Sequence, residues 1–215
     1  MKRHLPAALL ATTVLLVGCA VSEDTEVSDV ADVEIVDTVE GTADADAESA
    51  PSALPTEVTA MLATYGLEEV SDVRDAVDAL DQLDETRPLS VHASVRTDEV
   101  IFIDGEDEYA VPVPGDEVYV SIAPYEQHTH ECHYHALGGC QGELVDEEMH
   151  VTITTNDGDV LVDEEATTWT NGFIGFWLPQ DTQGVVSVTR GELSGETEFD
   201  TGEGGATCIT TLQLS

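Results

Sequence analysis

Hydrophobic positions recur with two different periods along the chain. Val58, Met61, Leu62 and Tyr65 fall at helical spacing behind Pro55, a residue suited to a first helical turn, and Gly66 ends the pattern. A second helix fits residues 71–83, with Ser71 or Asp72 as N-cap and Val73, Val77, Leu80 and Leu83 forming its apolar face. Arg87-Pro88 closes it. Beyond Pro88 the period falls to two, which predicts short strands at 91–95, 99–103, 109–113 and 117–122, with turns at Asp104-Gly105 and Pro114-Gly115-Asp116. Further strands are expected at 149–154, 160–163, 173–178, 185–188 and 207–214. The expected fold is α+β: a small N-terminal two-helix unit with short strands, then a mostly antiparallel, β-sandwich-like C-terminal domain. The boundaries read from the pattern are 52–125 for the first domain and 126–215 for the second. No internal repeat is present.

Residues 1–51 follow neither period. Lys2 and Arg3 precede an apolar run over 5–17, too short for the roughly 20 residues of a spanning helix. The segment 1–18 reads as an export signal. Its ending, Leu16-Val17-Gly18-Cys19, resembles the bacterial lipobox, in which cleavage precedes a cysteine that then receives lipid. An ordinary signal peptide cut nearby is the alternative, but no Ala-x-Ala site precedes the cysteine. Residues 23–48 then hold 11 acidic and no basic residues. Such a tract buries too little apolar surface to offset its ordering entropy and repels itself, so 19–51 reads as a lipidated Cys19 followed by a disordered acidic tether.

Charge narrows the function. The sequence carries 45 Asp and Glu against 6 Lys and Arg, a formal charge of −39. A nucleic-acid partner needs a basic patch to neutralise phosphates, and none exists. Cleavage after residue 18 removes the sole lysine. An acid-rich, lysine-free surface stays solvated at high salt, or serves solubility generally.

The candidate chemistry lies in residues 128–144. Four of seven histidines, His128, His130, His133 and His135, and two of four cysteines, Cys132 and Cys140, fall within 128–140. In an extended chain His128, His130 and Cys132 face one side and His133 and His135 the other. Gly138-Gly139 lets the chain turn back, bringing Cys140 towards Cys132. Cys208 shares a face with Thr210, Leu212 and Leu214 in the last expected strand, which directs it inward. One reading is structural: a Cys132–Cys140 disulfide with Cys208 buried as a free thiol. The other is a metal site, because thiolates select Cu(I), zinc or iron–sulfur clusters and imidazole suits copper and zinc. Two cysteines and two histidines can form a zinc site, although Cys-x7-Cys is wider than a zinc knuckle's spacing. A blue-copper centre lacks its histidine after Cys208 and a near methionine. His92 and His150 stand alone and read as surface residues. With neither a Gly-x-Ser-x-Gly nor a His-Glu-x-x-His motif, the chain is expected not to be an enzyme.

Three blocks carry a resemblance: Cys132-His-Tyr-His135-Ala-Leu-Gly-Gly-Cys140-Gln-Gly-Glu-Leu, Asn171-Gly-Phe-Ile-Gly-Phe-Trp-Leu-Pro179 and Thr207-Cys208-Ile-Thr-Thr-Leu-Gln-Leu214. Over roughly residues 55–215 the chain resembles the CueP family of periplasmic copper-binding proteins. The resemblance implies copper held by Cys132, Cys140 and Cys208, with His128, His130, His133 and His135 as auxiliary candidates. It also implies copper resistance, delivery of copper to an exported superoxide dismutase, reduction of Cu(II), and a homodimer formed through the N-terminal part. The lipobox and the tether lie outside the family pattern. Together these readings describe an extracytoplasmic, lipid-anchored Cu(I)-binding protein; the competing expectation is a zinc-binding or disulfide-stabilised β-domain acting as an interaction module.

Overall fold

In the computed structural model, residues 53–215 are described; the export segment 1–18, Cys19 and the tether 19–51 lie outside the described residues. The first helix, α1, spans Thr56–Ala63 behind Pro55, and Gly66, at φ +73°, ends its turn as the sequence requires. Helix α2 (Val73–Asp81) is capped by Asp72, whose carboxylate accepts from the Asp75 amide at 3.0 Å. It buries Val73, Ala76, Val77, Leu80 and also Asp81, a carboxylate on the apolar face.

Strands β1 (His92–Val95), β2 (Glu99–Asp104) and β3 (Asp107–Pro112) form an antiparallel meander. Against it pack Val58 and Leu62 of α1 and the buried face of α2, forming the first core. β4 (Glu117–Ile122) is followed by a long irregular segment, then β5 (Glu148–Thr155), β6 (Val160–Thr167), β7 (Ile174–Pro179), β8 (Gln183–Arg190), β9 (Leu193–Asp200) and the two-residue β10 (Cys208–Ile209). Two sheets result, one of order β10-β4-β7 and one of order β6-β5-β8-β9. Their facing sides, with Val120 and Ile122 of β4 against Val151 and Ile153 of β5 and Val186 and Val188 of β8, make the second core. The architecture is α+β, with a sandwich in the C-terminal part.

β4 divides the two cores. Its residues are buried from Val118 onward because both faces are covered: Val118, Val120 and Ile122 enter the sandwich, while Tyr119 enters the helical core. Gly175, opposite Ser121 on β7, has no side chain where the Tyr119 hydroxyl lies; a Cβ there would collide with it. β4, from the expected first domain, thus pairs with β7 and β10 from the second, and Leu137 packs into the first core.

β6 and β8 each run to eight residues where four were expected, and two further elements depart more sharply. The final strand, expected over 207–214, shortens to Cys208–Ile209, running parallel to β4 with one further bridge from Gln213 to Tyr125. β9 was not expected: it has acidic or small residues at most outward positions and only Phe199 fully buried, so its alternation is faint. It is held by full pairing with β8. No helix among the described residues is long and apolar enough to cross a membrane.

Candidate metal centre

The segment carrying the histidines is not a strand, yet its second half is held like one. Val95 donates to the His135 carbonyl at 2.8 Å, Leu137 to that of Ala93 at 3.0 Å and Leu89 to that of Gly138 at 2.7 Å, laying residues 135–138 along β1. Gly138 is required there because any Cβ would strike the Val91 carbonyl oxygen. The chain then turns, with the Gly139 and Cys140 amides both donating to Ala136, and this returns Cys140 towards Cys132. On the other side Thr207 and Cys208 donate their amides to the His133 carbonyl at 2.9 and 3.1 Å. The Thr207 hydroxyl accepts from the His135 amide at 3.0 Å and donates to the Val95 carbonyl at 2.8 Å, joining β10, the histidine segment and β1.

This framework brings the three cysteines together. Cys132 and Cys140 place their sulfurs 3.5 Å apart, all three are free, and with Phe173, Ala123 and Ala136 they form a third cluster. Cys208 is 2% exposed, as the inward reading of its face requires. Two histidines join them. His130, Cys132 and Cys140 present ligand atoms within 4.8 Å of one another, as do His135, Cys140 and Cys208. The other two turn elsewhere. His128 is exposed and bonds Glu143 at 3.2 Å, and His133 places its Nε2 3.1 Å from the Gly204 carbonyl.

His135 is fully buried, and its two ring nitrogens differ. Nε2 lies 2.8 Å from Oδ1 of Asp81, whereas Nδ1 has no hydrogen-bond partner. Asp81 is itself fully buried and accepts also from Asn171 at 2.7 Å, from the Tyr119 hydroxyl at 2.7 Å and from Ser121 at 3.0 Å. Burial pulls the His135 pKa down, but the Asp81 charge and hydrogen bond, with Cys140 beside it, outweigh burial and hold it up at about 9. Asp81 shows the reciprocal effect: burial raises its pKa, and the His135 charge with four donors holds it below the usual carboxylate range. Asp81, Asn171, Tyr119, Ser121 and Thr207 were not singled out as site residues from the sequence. The available signal was a carboxylate at 81, next to Leu80 and four residues after Val77 on the apolar stripe of α2.

Among the sulfurs, Cys140 is the one most favoured as thiolate. Hydrogen bonds from Cys132 and Cys208, with the positive charge of His135 beside it, draw its pKa far down. Cys132, donating to Cys140, is pushed up to about 11, and Cys208, bonded to both, is raised as well. The donor set fits a soft cation. Metal–sulfur bonds of roughly 2.3 Å allow two sulfurs on one ion up to about 4.6 Å apart, and a buried imidazole whose other nitrogen is tied to a carboxylate has the form of a supported metal ligand. Nδ1 is the orphaned polar atom that would bind such an ion on giving up its proton.

Fold and site together give a helix-buttressed β-sandwich carrying a cluster of thiols and imidazoles that could hold a soft metal ion. The chain belongs to the CueP family: the model for the periplasmic copper-binding protein CueP matches residues 75–213. It is similar to the protein in the crystal structure of S.CueP, with 38% sequence identity and a TM-score of 0.69, over 76% of this chain and 100% of that one. No curated protein matches. The family is periplasmic and binds copper.

Proposed function

We propose that the protein holds one Cu(I) through Cys132, Cys140 and Cys208, with His135 Nδ1 as the adjoining imidazole donor, and serves extracytoplasmic copper resistance. The observation that carries this reading is the convergence of three free thiols beside a buried ring nitrogen that has no partner. Soft sulfur donors favour Cu(I) over the hard cations that carboxylates prefer, so the acidic surface is solvation and not the source of selectivity.

The thiols also make the protein a stoichiometric reductant. Two cysteine thiols give up two electrons and two protons and close a disulfide, converting two Cu(II) to two Cu(I). Cys132 and Cys140 are the pair supported by their proximity. This is a reagent's role and not an enzyme's, unless a separate reductase restores the thiols. Cys19 would anchor the protein by lipid with the acidic tether setting its reach; an exported superoxide dismutase is the proposed recipient of copper, and the N-terminal part the proposed dimer contact.

The test is an anaerobic Cu(I) titration of the reduced protein against a chromophoric chelator, repeated with Zn(II) and with each of the three cysteines changed to Ser. One Cu(I) bound in preference to zinc, and weakened by every change, is the expected result. Affinity unchanged across all three variants would make the cysteines structural; preference for zinc would reassign the metal.

A further inference from the structure

The donors around the sulfurs fall into two sets that share one member. His130, Cys132 and Cys140 form the first, and His135, Cys140 and Cys208 the second. They differ in depth. His130 is exposed and Cys132 half-buried, whereas Cys208 and His135 are buried. Two surface hollows meet at the outer set, one bounded by Tyr125 and Thr210 and the other by Gly139 and Gln141, and His130, Glu131 and Cys132 line both. Neither is lined by His135 or Cys208. Phe173, fully buried, has its ring centre 6.4 Å from that of His130 and 4.7 Å from that of His135, so one apolar wall serves both imidazoles.

We infer that the site is a two-station relay, in which Cu(I) is captured at the surface by His130, Cys132 and Cys140 and passed inward to the three cysteines and His135, with His130 released. The inference rests on the copper reading above. Cys132 and Cys140 stay bound throughout, so copper trades His130 for Cys208 and His135 one bond at a time and is never released. The Cys208 thiol and the His135 imidazolium each give up a proton to water as they bond copper, and the His130 ring nitrogen is freed as its bond breaks. Copper remains Cu(I) and no electron moves. His130 therefore governs how fast copper is taken, and Cys208 and His135 how firmly it is kept.

Rate and affinity are separable by experiment. The purified protein, reduced and anaerobic, is mixed in a stopped-flow cell with Cu(I)–bicinchoninate; loss of the chelate colour gives the capture rate, and equilibrium titration the affinity. His130→Ala is expected to slow capture about tenfold with a much smaller change in affinity. Cys208→Ser is expected to capture at the wild-type rate and hold Cu(I) about 10- to 100-fold less tightly. His150→Ala, a surface imidazole on β5 outside either set, controls for loss of an imidazole and matches wild type in both. Wild-type capture by His130→Ala, or equal slowing in Cys208→Ser, would overturn the relay and leave the copper site standing. Two Cu(I) retained per protein would also overturn it, because the ion would then not have left the outer station. Undiminished affinity in all three cysteine variants would remove the copper site and the relay together.

Discussion

Asp81 shows how a single residue ties the helical core to the metal centre. Its carboxylate accepts from His135, Asn171, Tyr119 and Ser121, that is, from the histidine segment, the loop before β7 and two polar positions of β4. Each oxygen receives two donors, so an amide at this position would turn its NH2 towards groups that also donate. Asp81→Asn is expected to destabilise the metal-free protein by about 3–5 kcal/mol, the range for breaking a buried ion pair. Tyr119→Phe removes one donor to a charged acceptor and should cost about 1.5–3 kcal/mol. Urea unfolding of both variants checks the order; equal losses, or a neutral Asp81→Asn, would show that the carboxylate is not charged in the folded state. At this scale the sequence revealed the sulfur and imidazole donors, because their chemistry is intrinsic to residue type. It did not reveal Asp81 or Thr207, whose roles exist only once α2, β1 and β10 meet. Nor did residue type distinguish His135 from His128: burial separates the two.

Elements form where local pattern and tertiary pairing agree, and the exceptions are instructive. α2 was legible because its apolar spacing and Asp72 cap point the same way. β10 was overextended because Thr210, Leu212 and Leu214 are inward-facing without a continuous ladder; β9 was missed because its pairing comes from β8 and not from its own alternation. The irregular stretch before the cysteines has no ladder, and a carboxylate supplies what a partner strand would. Glu143 accepts from the amides of Glu126, Gln127 and His128 at 2.7, 2.9 and 3.2 Å. These bonds, led by that of Gln127, lower its pKa to about 2. A depressed carboxylate contributes stability that is complete above its unfolded value of 4.5 and is lost as pH falls through about 2. The clamp is therefore expected to persist through mild acid. An NMR titration of the Glu143 carboxyl should show a midpoint near 2, with the Gln127 amide shift following it; a midpoint near 4.5 would mean that the three amides do not hold this group.

Across the whole molecule, acidic excess meets almost no free positive charge. The four arginines of the described residues are all engaged: Arg74 pairs with Glu117 and lies over Trp177, Arg87 donates to the Leu80, Asp81, Leu83 and Glu85 carbonyls, Arg96 stacks on Tyr134, and Arg190 bridges Glu126 and Glu147. No lysine lies among them. Among the described residues, the exposed carboxylates of β9 take part in no ion pair, and on β6 His150 alone offsets Asp163 and Glu165, so acidic repulsion is little neutralised. Salt has two opposing effects here: it screens this repulsion, which stabilises, and it weakens the few ion pairs, which destabilises. Surface pairs contribute about 0–1 kcal/mol each, and the most consequential pair, His135–Asp81, is buried beyond the reach of screening. Repulsion should win. The melting temperature of the metal-free protein is expected to rise with added NaCl, by about 2–4 °C for each kcal/mol of repulsion relieved in a domain of this size. KCl at equal ionic strength should do the same, since screening does not distinguish the cations. A melting temperature that stays flat or falls between low and molar salt would show that the carboxylates are already accommodated, and that the acidity serves solubility and not a high-salt setting.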